Sequence, residues 1–368
     1  MKKIVTVLGA RPQFIKASVV SSAMRQTGVI RETLIHTGQH FDANMSDVFF
    51  DELEMRRPDH ALDIHSLPHG AMTGRMLERC ESIMLDNRPD LVLVYGDTNS
   101  TLAGALAAVK LGIPIAHVEA GLRSFNMAMP EEINRILTDR IADLLFAPTE
   151  AAVRHLQHDG ISSHKVHLVG DVMYDVALQH GRRSRSDVGL MRDLQLERGR
   201  YALITVHRAE NTDDVQRLRA VVHGIAKLAG DMTCVWPMHP RTRGILKREG
   251  LESALTDAAP NLILCEPLGY FDMVQMEKFA GVVVTDSGGV QKEAFFHGVP
   301  CITLRDETEW LELVESGWNT LVPPQDPGAI HRAAVAAVGR VGQPVTPYGT
   351  GDAAVQIARR MVDFLNAG

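Results

Sequence analysis

Short aliphatic runs alternate along the whole chain with longer amphipathic segments. The runs predict twelve strands: Ile4–Leu8, Thr33–Thr37, Leu91–Tyr95, Ile113–Val118, Leu144–Ala147, Val166–Val169, Ala202–Val206, Thr233–Trp236, Leu262–Cys265, Val282–Thr285, Cys301–Leu304 and Thr320–Val322. Several are apolar on both faces, which is typical of strands buried in a parallel sheet. The amphipathic segments predict helices; in one of them Met72, Met76 and Cys80 share a face. The alternation predicts an α/β protein with right-handed crossovers.

Twelve strands are too many for one open sheet, so we expect two domains. A polar segment with six arginines, residues 181–200, contains no strand, and we interpret it as a solvated connector. This predicts two Rossmann-like, doubly wound domains at residues 1–172 and 173–351. The final helix, residues 352–368, has an apolar stripe that must pack against another element.

Composition narrows the choice of partners. The 368 residues include 38 basic and 45 acidic side chains and have a formal charge of −7, which does not favour a nucleic-acid or anionic-membrane partner. The first apolar run, Ile4–Leu8, is too short for a signal peptide, and no run approaches the ~20 residues of a membrane span. The four cysteines form no CxxC pair and the histidines no HExxH motif, so we expect reduced core thiols, no metal site and a cytoplasmic protein.

Polar residues follow nearly every predicted strand. These segments are Gly9–Lys16, Gly38–His40, Gly96–Ser100, Glu119–Arg123, His207–Asn211, Met238–Arg241, Asp286–Gly289 and Arg305–Glu307. Ligands of doubly wound sheets bind beyond the carboxyl ends of the strands. For two facing domains, this predicts a site in the cleft between them.

The segment Asp286–Gly289 follows an all-apolar strand and precedes a predicted helix, Val290–His297. Its two glycines would let a phosphate approach the backbone, where the helix start offers free N–H groups. Ser287 can add a hydroxyl, and Glu293, one turn later, can accept from ribose hydroxyls. The alternative is a tight turn with a Ser or Asp cap. The segment Gly9-Ala10-Arg11-Pro12 together with Lys16 predicts a second contact for an anion. Considered by itself, Lys16 could also be a solvated lysine on a helix surface, which is the more common case.

Three carboxylates form the second group of candidates. Asp97 and Glu119 end two strands, and Glu131 follows soon after, so they could act as general acid and base. Alternatively, Asp97 caps a helix and Glu131 is a first-turn residue favoured by the helix dipole. His207 could bind phosphate or transfer a proton.

Ten segments carry a resemblance to a known family. They are GARPQFIK (9–16), TGQH (37–40), YGDTNST (95–101), HVEAGLR (117–123), PEEINR (130–135), VHRAEN (206–211), HP (239–240), PLGYFDM (267–273), TDSGGVQKEA (285–294) and LRDETEW (304–310). In this order they resemble the non-hydrolysing UDP-N-acetylglucosamine 2-epimerases. The resemblance implies the GT-B architecture, a homodimer, and a final helix that crosses back to the N-terminal domain.

The resemblance also implies a cofactor-independent inversion at carbon 2 of the sugar. No carbonyl acidifies that C–H bond, so the family eliminates UDP from carbon 1 with loss of the carbon 2 proton. UDP then re-adds to the bound glycal after protonation from the other face.

The matching positions take the following implied roles. Acid/base carboxylates are Asp97, Glu119 and Glu131; diphosphate contacts are His207, Arg11, Ser287, Gly288 and Gly289; Glu293 binds ribose, and backbone near Met273 meets uracil; supporting nucleotide-site residues are Lys16, Arg135, His239 and Arg305. The N-terminal domain would thus carry the acid/base groups and the C-terminal domain the UDP site.

Three departures from the common family pattern leave the substrate open. Gln13 replaces a usual Glu, the loop Ser124–Met129 differs, and Trp310 stands where an Arg is common. They resemble the branch that epimerises UDP-2,3-diacetamido-2,3-dideoxyglucuronate, and we expect them near the sugar. The other hypotheses are a UDP-sugar glycosyltransferase, a nucleotide-sugar sensor and a hydrolysing epimerase.

Overall fold

The computed structural model describes residues 1–39, 50–51, 53–183, 189–258 and 261–367. The chain forms two compact units: Met1–Val176 with Thr346–Gly368, and Ala177–Val345. Two features singled out in the sequence, His40 and residues 184–188 of the arginine-rich segment, lie outside the described residues.

The first unit contains a seven-stranded parallel sheet in the order β3-β2-β1-β4-β5-β6-β7. Its strands are β1 Lys2–Leu8, β2 Ile30–His36, β3 His60–Ala61, β4 Leu91–Tyr95, β5 Ile115–Val118, β6 Leu144–Ala147 and β7 Val166–Leu168. Its helices are α1 Arg11–Gln26, α2 His69–Asn87, α3 Asn99–Lys110, α4 Pro130–Ile141, α5 Glu150–His158 and α6 Val172–Arg183, which runs on into the second unit, with a 3₁₀ turn at Ser163–Lys165.

The second unit contains a six-stranded parallel sheet in the order β10-β9-β8-β11-β12-β13. Its strands are β8 Tyr201–Thr205, β9 Thr233–Pro237, β10 Leu262–Cys265, β11 Val282–Thr285, β12 Cys301–Thr303 and β13 Asn319–Leu321. The remaining helices are α7 Gly189–Asp193, α8 Ala209–Thr212, α9 Val215–Asp231, α10 Pro240–Arg248, α11 Leu251–Ala258, α12 Tyr270–Phe279, α13 Gly288–Phe296, α14 Leu311–Glu315, α15 Pro327–Ala337 and, back in the first unit, α16 Ala353–Ala367.

All twelve predicted strands are confirmed, with ends that differ by a few residues. The sequence pattern missed β3, because two residues are too few to show a period. In each sheet the chain first adds strands on one side of its first strand and then continues on the other side. The loops after the two central strands therefore run in opposite directions: those after β1 and β4 in the first sheet, and those after β8 and β11 in the second. Such a switch point is where open α/β sheets bind ligands.

The arginine-rich segment is less solvated than we expected. Met191, on α7, is only 3% exposed and packs on one face of the second sheet. Leu190, Leu194 and Leu196 are half-buried against the same core. Apolar residues inside a polar stretch therefore attach residues 189–196 to the second unit.

The chain re-enters the first unit shortly before its final helix. Tyr348 is 1% exposed, and its carbonyl accepts the N–H of Asp171 at 3.0 Å. Gly170, at φ +90°, lies so close that a Cβ there would be 2.7 Å from the same carbonyl. These contacts attach residues 346–351 to the first unit.

The final helix, α16, packs against α1 in the first unit. The apolar stripe predicted for it is buried: Ala354, Ile357, Ala358, Met361 and Leu365. Among the described residues, no helix is both long and apolar enough to cross a membrane.

Candidate active site

Each unit carries a polar cluster at the switch point of its own sheet. The first cluster is built by the loops after β1, β4 and β5 and by the start of α4. The second is built by the loops after β8, β11 and β12.

Gln13 connects two loops of the first cluster. Its side-chain oxygen accepts the N–H groups of Gly9 at 2.7 Å and Ala10 at 3.1 Å. Its amide nitrogen lies 2.6 Å from the Tyr95 carbonyl and 3.0 Å from the Thr101 hydroxyl. A carboxylate could not donate these bonds. Gln13 is 3% exposed and holds the loops after β1 and β4 together.

Asp97 forms an ion pair with Arg135 of α4. Arg135 also donates to Glu132 at 2.8 Å. The N-cap of the following helix is Thr98, whose side chain accepts the N–H of Thr101, so the capping alternative for Asp97 is wrong. The Asp97 carboxylate is one-third exposed and is available to a ligand.

Glu132 was not among our candidates, but it anchors the loop before α4. It is 1% exposed and accepts the N–H groups of Ser124 and Phe125 at 2.9 and 3.0 Å. Burial raises its pKa, but these hydrogen bonds and the Arg135 charge outweigh burial, so the net pKa is lowered. Glu132 therefore stays ionised and supports Arg135.

Glu119 lies at the carboxyl end of β5 and forms an ion pair with Lys16 of α1. Lys16 is therefore not a solvated lysine, since its side chain is 14% exposed. Glu119 has φ +70°, a left-handed conformation that is rare for a residue with a side chain. Arg11, the other candidate cation on α1, is the first residue of that helix and is half-buried.

Glu131 lies in the first turn of α4, where the helix dipole favours a carboxylate. Its side chain is half-buried and makes no hydrogen bond or ion pair with any described residue. It differs in this respect from Asp97 and Glu119, each of which is neutralised by a cation of the same unit.

Asp286 organises the second cluster. It is fully buried, and its carboxylate accepts the N–H groups of His207 at 3.1 Å and Arg208 at 3.0 Å, and the side-chain amide of Asn211 at 3.1 Å. These bonds hold the loop after β8 against the loop after β11. Sequence reasoning treated Asp286 as a loop or cap residue, although a carboxylate directly after an all-apolar strand was a signal of burial.

The helix after Asp286 begins at Gly288, two residues earlier than predicted. Ser287 is its N-cap and accepts the N–H of Val290 at 3.5 Å, so the capping alternative is observed. Gly288 and Gly289 are thus first-turn residues, whose N–H groups have no acceptor within the helix. This arrangement can bind an anion.

Trp310 contacts the first turn of α13 through a hydrogen bond to its backbone. Its indole N–H donates to the Gly288 carbonyl at 2.9 Å, and the Lys292 ammonium lies 4.3 Å from its ring centroid. Trp310 is 8% exposed and packs against the loop that carries Gly288. Arg305 is also buried and pairs with Glu309 at 2.8 Å.

His207 is an exposed candidate of the second cluster, with 45% of its side chain accessible. Its Nδ1 lies 3.4 Å from Asp286, and its ring centroid is 6.0 Å from that of His239. The Nδ1 of His239 accepts the N–H of Arg241 at 3.2 Å. Burial and the charges of His207 and Arg241 lower the pKa of His239, so it is held neutral.

Glu293, on α13, has a buried carboxyl group nearby. Glu277 of α12 is fully buried, and neither carboxyl oxygen has a hydrogen-bond partner among the described residues. Burial, followed by the charge of Glu293, raises the pKa of Glu277 well above its usual value, so it is neutral. Met273, also on α12, donates its N–H to the Gly269 carbonyl at 3.0 Å, which leaves that group engaged within the helix.

Comparisons with known proteins agree with this architecture. The family model for UDP-N-acetylglucosamine 2-epimerase matches residues 22–362. The chain is 50% identical over 359 residues to UDP-2,3-diacetamido-2,3-dideoxy-D-glucuronate 2-epimerase of Pseudomonas aeruginosa, covering 97% of this chain and 98% of the relative. It is 42% identical over 361 residues to UDP-N-acetylglucosamine 2-epimerase of Methanocaldococcus jannaschii, with coverage of 97% and 98%.

The crystal structure of Methanocaldococcus jannaschii UDP-GlcNAc 2-epimerase in complex with UDP-GlcNAc and UDP matches this chain with a TM-score of 0.85, at 41% identity and over 100% of both chains. Sequence and fold therefore agree along the whole length: the chain belongs to the UDP-N-acetylglucosamine 2-epimerase family of isomerases and has its two-domain GT-B fold.

Proposed function

We propose that this protein inverts carbon 2 of a UDP-N-acetylhexosamine by eliminating UDP and adding it back. A carboxylate removes the carbon 2 proton while the carbon 1–oxygen bond breaks, and the electron pair of that bond leaves with UDP. A proton is then delivered to the opposite face of carbon 2, and a UDP phosphate oxygen attacks carbon 1. The first candidate substrate is UDP-N-acetylglucosamine, for which the product would be UDP-N-acetylmannosamine.

The observation that carries this proposal is the group of carboxylates at the switch point of the first sheet. Asp97 and Glu119 follow neighbouring strands, and each forms an ion pair with a cation of the same unit. Glu131 has no such cation among the described residues. Acid/base groups in different environments are what a proton removal and a proton delivery at one carbon require.

The second cluster supports the nucleotide half of the proposal. We assign the diphosphate to Ser287, Gly288 and Gly289 at the start of α13, with His207 and Arg305 as nearby cationic or proton-donating groups. A leaving group that carries negative charge is stabilised by N–H groups that are already oriented.

The remaining roles rest on the family resemblance. Glu293 binds the ribose, backbone near Met273 meets uracil, and His239 and Arg11 complete the site. The first unit then acts on the sugar and the second binds UDP. We also propose that the protein works as a homodimer without a cofactor.

A second candidate substrate is UDP-2,3-diacetamido-2,3-dideoxyglucuronate. The relative of that name is 50% identical over 97% of this chain, a higher identity than the 42% of the Methanocaldococcus jannaschii enzyme. The same chemistry serves both substrates, because the differences lie at carbons 3 and 6 and the reacting carbons are unchanged.

Proton NMR in deuterated water tests the reaction and the substrate together. Each sugar nucleotide is incubated with the purified protein. We expect a new anomeric signal and deuterium at carbon 2 for at least one of them, and the faster one is the preferred substrate. Release of free sugar with UDP would instead identify a hydrolysing enzyme, and absence of exchange with both sugars would refute the proposal.

A further inference from the structure

His117 is a fully buried residue of β5 whose two ring nitrogens both face acceptors. Nδ1 lies 2.8 Å from a carboxylate oxygen of Asp139, and Nε2 lies 2.7 Å from the carbonyl oxygen of Gly96. A neutral imidazole carries one N–H and can donate only one of these bonds. The other contact would then set two lone pairs against each other at hydrogen-bond distance. Both contacts are favourable only when the ring carries two protons.

The surroundings of His117 can hold that charge. Asp139 is fully buried, and its second oxygen accepts the N–H of Gly121 at 3.1 Å and pairs with Arg123 at 2.7 Å. Arg123 also pairs with Asp159 at 2.7 Å. With a protonated His117, cations and carboxylates alternate in the order His117, Asp139, Arg123 and Asp159. The buried imidazolium is then both paired with a carboxylate and hydrogen-bonded, as buried charges must be.

The network ends on the two loops that carry candidate acid/base groups. Gly96, whose carbonyl His117 holds, directly precedes Asp97. Gly121, whose N–H Asp139 holds, follows Glu119 by two residues. Gly96, Glu119 and Gly121 all have left-handed backbones, with φ of +61°, +70° and +83°. Glycine adopts this conformation without strain, whereas at Glu119, which has a side chain, it persists only where the surroundings fix it.

We propose that His117, held as an imidazolium between Asp139 and the Gly96 carbonyl, is a positioning residue that fixes Asp97 and Glu119 for proton transfer at the sugar. This inference rests on the proposed function for its kinetic consequence. Its structural part, the doubly protonated buried ring, stands on the two acceptor contacts alone.

The first test is spectroscopic and uses the intact wild-type protein. In a two-bond ¹H–¹⁵N correlation spectrum of histidine-labelled protein at neutral pH, the ring of His117 is identified by slow solvent exchange and by its absence from the His117→Phe variant. We expect protons on both of its nitrogens. A single N–H on that ring would overturn the inference, whatever the enzyme turns over.

The second test is kinetic. His117→Phe removes both N–H groups, and Asp139→Asn, a second variant in case the first does not fold, removes the balancing charge. We expect kcat to fall by about 100-fold, as for a small misplacement of reacting groups, with KM and UDP affinity within about twofold. The matched control is His167→Phe, in β7 of the same sheet, because the His167 side chain makes no hydrogen bond to a described residue.

The outcomes separate the two proposals. Turnover in folded His117→Phe equal to that of the control would overturn the positioning role alone. A wild-type protein that exchanges carbon 2 protons on neither sugar would overturn the proposed function and the positioning role with it, while the spectrum would still decide the charge of the ring.

Discussion

At the residue scale, Glu119 combines a candidate chemical role with a strained backbone. Its φ of +70° costs a residue with a side chain about 1–2 kcal/mol relative to glycine. A Cβ on Gly96 would lie only 3.4 Å from the Glu119 carboxylate, so the two loops approach closely here. The protein thus keeps a side chain where glycine would be more stable, which is expected where the side chain is needed.

We therefore expect Glu119→Gly to be more stable than Glu119→Ala, the reverse of the usual order. The difference in the free energy of unfolding should be about 1 kcal/mol, because alanine keeps the strain that glycine avoids. Urea unfolding of the two variants measures it, and both should lack epimerase activity. Equal stabilities, or a more stable alanine variant, would mean that the left-handed backbone is not strained.

Asp97 provides a direct test of the assignment of chemistry to the first unit. Asp97→Asn keeps the shape but removes the charge, so we expect turnover to be abolished. UDP affinity should stay within about tenfold, or ~1.4 kcal/mol. Calorimetric titration with UDP and the NMR assay measure both quantities. The control is Asp86→Asn, an exposed residue of α2, which should leave both unchanged. A loss of UDP affinity as large as the loss of turnover would contradict a purely chemical role.

Ser287 tests the diphosphate assignment. Ser287→Ala should weaken UDP binding by about 1–3 kcal/mol, the usual effect of losing a hydrogen bond to a charged group. It also removes the cap of α13, which costs about 1 kcal/mol of stability. Ser287→Thr keeps the hydroxyl and serves as the control, with affinity measured by titration. If UDP bound the alanine variant as tightly as the wild type, the diphosphate would have to bind elsewhere.

At the scale of elements, the strands were predictable but their contacts were not. Buried runs such as Leu91–Tyr95 are apolar on both faces and can therefore be recognised as strands from the sequence. The role of Gln13 depends on β1 lying beside β4, and that of Asp286 on β11 lying beside β8. These neighbours are far apart in the chain, and a single sequence carries no signal of which strands pair. The start of α13 was misplaced because glycine is a poor indicator of a helix.

In the candidate site, too, the residues could be predicted from the sequence but their contacts could not. The residue types were predictable from the strand ends and the family resemblance. Their pairings, Asp97 with Arg135 and Glu119 with Lys16, depend on side-chain directions that the sequence does not contain. Trp310 and Gln13 were expected near the sugar, and their burial against loop backbone became visible only in the folded chain.

The junction of α6 and α16 gives a pH-dependent prediction. The carboxylate of Asp175 accepts the N–H groups of Ala353 at 3.2 Å and Ala354 at 2.7 Å. The pKa of Asp175 is raised from 3.8 to about 6, mainly by burial. The two hydrogen bonds lower this pKa, whereas the negative charges of Asp352 and Asp171 raise it further. The folded protein therefore binds this proton more tightly than the unfolded chain does. The stability that the raised pKa contributes is full below the unfolded value and is lost as the pH rises through about 6.

Urea unfolding of the wild type and of Asp175→Asn across this pH range provides the measurement. The free energy of unfolding of the wild type minus that of the variant should fall as the pH rises and then level off. Groups common to both proteins cancel in this difference. A difference that is constant or rises with pH would contradict the raised pKa.

At the scale of the whole molecule, the last helix stabilises the unit to which the first strand belongs. Ile357 of α16 is fully buried, whereas Val355, two residues before it, is 58% exposed. Ile357→Ala should lower the free energy of unfolding of the first unit by about 2–5 kcal/mol, because it leaves a cavity where a fully buried side chain was. Val355→Ala is the matched control and should change it by less than about 0.5 kcal/mol. Equal effects in a denaturant titration would show that α16 does not contribute to the core of the first unit.

The discontinuity of the first unit also has a consequence for synthesis. The chain completes Ala177–Val345 before it reaches the residues from Thr346 onward that the first unit still lacks. At roughly 5–20 residues per second, the ribosome leaves the α16-facing side of α1 uncovered for on the order of ten seconds or longer. The first unit, although its first residues are translated earlier, therefore cannot form the α1–α16 contact until the whole of the second unit has been translated.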